Sequence, residues 1–130
     1  MVKQIFSVKE YWEVVVFYDA DYNLFYLIED ELYNAGITEY YLEELYYMMF
    51  FGKAKAVTFS NTGLHKSIVV FNNHTSKEDY VDSIVHEAEH IKQAMLYAYN
   101  VKDAGEPPAY TIGYLVSQMY KVFRNFICDC

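Results

Sequence analysis

The sequence predicts an α+β fold, a small β-sheet covered by about four helices, and three features predict it. A β-branched and aromatic run, Trp12 to Tyr18, has strand character. Two shorter runs of the same kind, Ala56–Ser60 and Ser67–Phe71, lie on either side of Asn61-Thr62-Gly63, as in a hairpin. Around them lie four stretches whose apolar residues recur at three–four spacing, as helices require. A chain of 130 residues fits one domain, residues 1–130. At that size about two-thirds of the unfolded surface is buried on folding, so no disulfide is needed to hold a core.

The elements follow in order. The Trp12–Tyr18 strand ends at Asp19-Ala20-Asp21. From Asp21 to Ala35, Leu24, Ile28 and Leu32 form a helical stripe, and Gly36 suits its C-terminal cap. Thr38 offers an N-cap for a second helix striped by Tyr41, Leu42, Leu45 and Met49, which Gly52 ends. After the hairpin, Thr75-Ser76-Lys77-Glu78 fits a capping box, and Asp79 and Asp82 favour the positive end of the helix dipole. The third helix, about Lys77 to Tyr99, carries Val81, Ile84, Ala88, Ile91 and Met95 as its core stripe. Asn100 to Gly105 forms a loop. Pro107 suits a first helical turn, and Ile112, Leu115, Met119, Val122 and Phe126 line the core side of the last helix. The order is strand, helix, helix, hairpin, helix, helix.

Composition narrows the function. Apolar residues make up 54%, which excludes a disordered chain. A net charge of −8 repels phosphate backbones, and no basic stripe compensates, so nucleic acid is not an expected partner. No stretch reaches the roughly 18 apolar residues that a membrane span needs, so no membrane partner is expected. The N-terminal segment lacks the apolar core and cleavage site of a secretory signal, which points to the cytoplasm. Cys128 and Cys130, at the C-terminal end, are badly spaced to bridge each other and fit a reduced pair. Fifteen tyrosines and nine phenylalanines suit half-buried surface, a groove or a self-association face.

The residues that carry chemistry are His86-Glu87-Ala88-Glu89-His90. Two histidines four apart rise from one helical face about one turn apart. Their nitrogens can reach a single tetrahedral Zn²⁺ at roughly 2.0–2.1 Å. Glu87 leans toward the same ion and suits the general base that takes a proton from zinc-bound water, the mechanics of an H-E-x-x-H helix. His86, Glu87 and His90 fall outside the core stripe and share a flank that borders a cleft. Glu89 points away from that flank.

This segment resembles the active-site helix of the zincin superfamily of metallopeptidases. Gly105-Glu106-Pro107-Pro108-Ala109-Tyr110 resembles the third-ligand region of glutamate zincins, in which a second helix adds a Glu to the same metal. The compact chain is similar to minimal, single-domain glutamate zincins of bacterial and phage genomes. The resemblance covers about Ala56 to Tyr120, and its specific part is H-E-x-x-H.

It implies a zinc-dependent hydrolase of amide bonds, a peptidase acting on peptide or protein, with Zn²⁺ on His86, His90 and Glu106 and Glu87 as base. Catalytic zinc sites keep three protein ligands and one open position, which also asks for a third donor such as Glu106. The plain alternative for Glu106 is an acidic residue favoured by a helix N-terminus. Tyr110, four residues on, would donate to an oxyanion or hold the ligand carboxylate; ordinary packing is its alternative. In zincins a sheet edge aligns the substrate as an added strand, and Ser67–Phe71 is the expected edge here. His74 is a weaker rival for the third ligand, His65 belongs to the hairpin turn, and Gly113 suits close helix packing. Two other readings compete: a zinc-stabilised binding protein that does no hydrolysis, and a metal-free module that buries its tyrosines against a partner.

Overall fold

A computed structural model describes residues 1–127. The elements are β1 (Val2–Val8), β2 (Trp12–Tyr18), a 3₁₀ turn (Tyr22–Leu24), α1 (Phe25–Asn34), α2 (Glu39–Phe50), β3 (Ala56–Asn61), β4 (Lys66–Phe71), α3 (Lys77–Tyr99) and α4 (Glu106–Ile127). The architecture is α+β: one four-stranded mixed sheet, ordered β1-β2-β4-β3, with α1 and α2 on one face and α3 and α4 on the other. β1 pairs with β2 and β3 with β4 antiparallel, whereas β2 and β4 run parallel in the middle.

The central position of β2 explains its unbroken apolar run. Val14, Val16 and Tyr18 face the core beneath α3 and α4, while Val15 and Phe17 face α1 and α2. A strand covered on both sides loses the alternation of a half-exposed one. β4 behaves alike, Val69 and Phe71 on one face and Ile68 and Val70 on the other.

Three sequence expectations need correction. β1 was not anticipated: it is an edge strand that buries little beyond Val8, so its sequence alternates weakly. The expected substrate edge, Ser67–Phe71, is interior, held between β2 and β3. β3 is the edge on that side, all six of its residues half-buried. Gly113 makes no close approach, since a Cβ there would meet nothing within 4 Å.

The helix stripes hold with one-residue shifts. On α3 the core residues are Tyr80, Ile84, Ala88, Ile91 and Met95, and Val81 stands 42% exposed. The apolar ring of Tyr80, stacked on His74 at 4.3 Å between centroids, takes the place expected for Val81. The N-cap is Ser76, which accepts from the Asp79 amide, one residue past the expected Thr75. On α4 the buried stripe is Leu115, Met119 and Phe123; Phe126 is 37% exposed and stacks on Tyr18. On α2, Tyr41 points outward and Leu42, Leu45 and Met49 point in. Among the described residues no helix is long and apolar enough to cross a membrane.

Two asparagines tie the turns after α1 and α2 to the β3–β4 side of the sheet. The Asn72 side chain donates to the carbonyls of Met49 (2.7 Å) and Ala54 (2.8 Å), tying the turn after α2 to the end of β4. The Asn61 side chain donates to the Ala35 carbonyl at 2.9 Å, joining the end of β3 to the turn after α1.

Candidate metal centre

α3 lies over β3 and β4, and its flank toward β3 carries His86, Glu87 and His90. The two imidazoles, one helical turn apart, lean together with Nε2 atoms 3.2 Å from each other. Glu87 follows His86 by one residue, a rotation of about 100° that carries its side chain under the helix against the sheet. It is 3% exposed, whereas both histidines are exposed. The Thr58 hydroxyl, on the β3 face toward α3, donates to Glu87 Oε1 at 3.3 Å. One donor atom from each of His86, Glu87 and His90 falls within 4.8 Å of the other two.

The two imidazole nitrogens stand at the spacing of two ligands on one tetrahedral cation, whereas the three donors together spread to 4.8 Å. Two nitrogens at roughly 2.0–2.1 Å from one tetrahedral ion stand about 3.3 Å apart. The observed 3.2 Å is that spacing within a tenth of an ångström or so. Imidazole nitrogens and a carboxylate suit a borderline-soft divalent ion such as Zn²⁺. Burial pushes the Glu87 carboxyl above its ordinary range, opposed by His90 and His86 and by the bond from Thr58.

The cluster opens on two clefts. One, of about 420 Å³, is lined by Met48 of α2, Ala56, Val57, Thr58 and Ser60 of β3, and His86, Glu87, His90 and Ala94 of α3. The other, of about 210 Å³, lies toward the start of α3 and takes in Lys55, Asp82 and Ser83 beside His86 and Glu87. Thr58, Met48 and Ser83 went unnoticed in the sequence. Strand alternation places Thr58 on the α3 side, but only the sheet order shows which helix covers that side.

Glu106 and Tyr110, expected as third ligand and helper, are not brought to this cluster. Glu106, exposed at the first residue of α4, is not among the residues whose donor atoms gather with those of His86 and His90. α4 also packs toward β1, on the flank of α3 away from β3. Tyr110 lines a separate groove of about 560 Å³ with Ser7, Val8, Lys9, Glu10, Thr111 and Tyr114.

The remaining expected positions have plain roles. His74 Nδ1–H donates to the Asn72 carbonyl at 2.7 Å, and its Nε2 accepts from the Ser83 hydroxyl at 2.8 Å. That occupies both ring nitrogens away from His86 and His90. His65 stacks on Trp12 with ring centroids 5.4 Å apart. Glu89 pairs with Lys92 at 2.7 Å and so points off the cluster as expected. Cys128 and Cys130 lie outside the described residues. No protein-family model, curated relative or solved structure matches this chain.

Proposed function

We propose that the protein is a metal-dependent hydrolase of amide bonds, a peptidase of the zincin kind, working at His86, Glu87 and His90. The observation that carries this reading is the pair of Nε2 atoms set 3.2 Å apart beside a buried carboxylate. His86 and His90 would hold the ion. Zn²⁺ held there would supply an acidified water and a polarised carbonyl.

The chain's own residues supply the rest. Glu87 takes the proton of the attacking water and carries it to the leaving amine. Thr58 holds one oxygen of that carboxylate, which limits its rotation. β3 offers a free edge beside the cluster, where an extended substrate adds as a further strand in place of the expected Ser67–Phe71. With Glu106 apart, two imidazoles and one adjacent carboxylate make a weaker hold on zinc than three ligands plus a base.

A donor set without Glu106 favours a second reading, a metal-stabilised binding protein without hydrolysis. One experiment separates the two. The zinc-loaded protein is incubated with a broad peptide library beside the Glu87→Gln variant, and zinc per chain is measured in both. Cleavage by the wild type alone, at equal zinc content, supports the peptidase. Zinc bound with no cleavage supports the binding protein, and absence of zinc from both removes the metal from either reading.

A further inference from the structure

The outer face of α2 has no function in the reading above, yet it adjoins the metal cleft. α2 buries Leu42, Leu45 and Met49 against the sheet and turns Tyr40, Glu43, Glu44, Tyr47 and Met48 outward. These five line a shallow groove of about 390 Å³, in which Tyr40 is 66% and Tyr47 64% exposed. The Tyr40 hydroxyl bonds to Glu44. The lining holds two carboxylates and no cation. Met48 lines this groove and the metal cleft alike, so the two adjoin across its side chain.

The register of β3 says what would enter both. Thr58 faces α3, where it meets Glu87, whereas Val57 and Phe59 face the core under α1 and α2. A strand added to the free edge of β3 alternates its side chains in the same way. When one residue points to the His86–His90 side, its neighbours point to the α2 side, toward Met48 and the groove. A side chain suited to that groove has an apolar stem to lie on Met48 and Tyr47 and a cationic end to sit beside Glu43 and Glu44 and over the phenol rings. An acidic side chain meets repulsion there, reinforced by the net charge of −8.

We propose that this face of α2 is a recognition subsite for a lysine or arginine side chain of an extended peptide laid along β3, which makes basic peptides the substrate class of the centre. The placement relative to the scissile bond rests on the hydrolase reading; the binding itself does not.

The test measures binding without turnover. The zinc-loaded Glu87→Gln protein is titrated, by fluorescence anisotropy, with a labelled eight-residue peptide bearing lysine at alternate positions and with its acetyl-lysine counterpart. The lysine peptide should bind at least tenfold tighter, and the preference should drop below twofold when Glu43→Gln and Glu44→Gln are added. A control pair on other exposed surfaces, Asp30→Asn with Glu78→Gln, should leave the preference unchanged. Equal affinities, no binding of either peptide, or a preference that survives Glu43→Gln/Glu44→Gln overturns the subsite. So does an equal loss in the control pair, which would make the attraction one of net charge alone. Failure of the hydrolase reading looks different: the wild type would bind the lysine peptide with the full preference and leave it uncut.

Discussion

Replacing Glu87 by Gln should strengthen the metal-free fold while abolishing hydrolysis. The carboxylate is 3% exposed, and desolvation is the main influence on it. Burying an ion costs several kcal/mol unless partners repay it. The partners here are modest: a Thr58 hydroxyl at 3.3 Å, a length at the weak end of hydrogen bonding, and two exposed imidazoles. An amide of the same shape has no ionic desolvation to bear and still accepts from Thr58. The expected net gain is about 1–2 kcal/mol at neutral pH, small because the imidazole attraction and part of the Thr58 bond are lost. For a chain of this size it raises the melting temperature by roughly 3–6 °C. Thermal and urea unfolding with chelator present measure this, and peptide hydrolysis with zinc present should fall about 10²–10⁴-fold, the usual share of a general base. A variant that loses 1 kcal/mol or more would show that the carboxylate holds the helix to the sheet. Unaltered hydrolysis would remove Glu87 from catalysis.

Four further outcomes follow from the same geometry. Zinc at about one hundred times its dissociation constant should add about 2.7 kcal/mol of stability; His90→Ala should erase that gain, whereas Glu106→Ala should leave it, and the opposite pattern in unfolding curves would return Glu106 to the ligand set. Thr58→Val should cost about 1–2 kcal/mol, because a buried carboxylate loses its hydroxyl donor, and Thr58→Ser should restore most of it. Leu115→Ala, at a fully buried site, should cost about 2–5 kcal/mol in urea unfolding, while Val81→Ala on the exposed side of α3 should stay within about 0.5 kcal/mol. Burial lowers the pKa of His74, so the folded ring resists a proton that the unfolded ring accepts. Stability should therefore fall as pH drops below about 6.5, and His74→Gln should flatten that limb in pH-dependent unfolding. Glu31, held below the usual carboxylate range by Lys3 and Lys66, adds its own loss only at lower pH.

Local pattern was enough for the helices and for the motif. His86 and His90 at four-residue spacing on a well-capped helix share a face in any fold that keeps the helix, so their convergence could be read without coordinates. The bounds of α3, the hairpin and the run Trp12–Tyr18 were legible for the same reason: caps, turns and β-branched runs act between near neighbours. β1 was less legible, because an edge strand is stabilised by ladder bonds to β2 more than by its own side chains.

Long-range pairing decided the rest. Insertion of β4 between β2 and β3 made β3 the edge and placed Thr58 under Glu87; no feature of Ser67–Phe71 by itself shows how many neighbours the strand has. Which flank of α3 receives α4 was set by the packing of Leu115, Met119 and Phe123 against the β1–β2 side of the sheet, and Glu106 is not gathered with the cluster. Sequence spacing determines which residues share a helix face, since that geometry repeats every turn. Which other element meets that face depends on burying apolar surface over the whole chain at once, and only the folded structure expresses it.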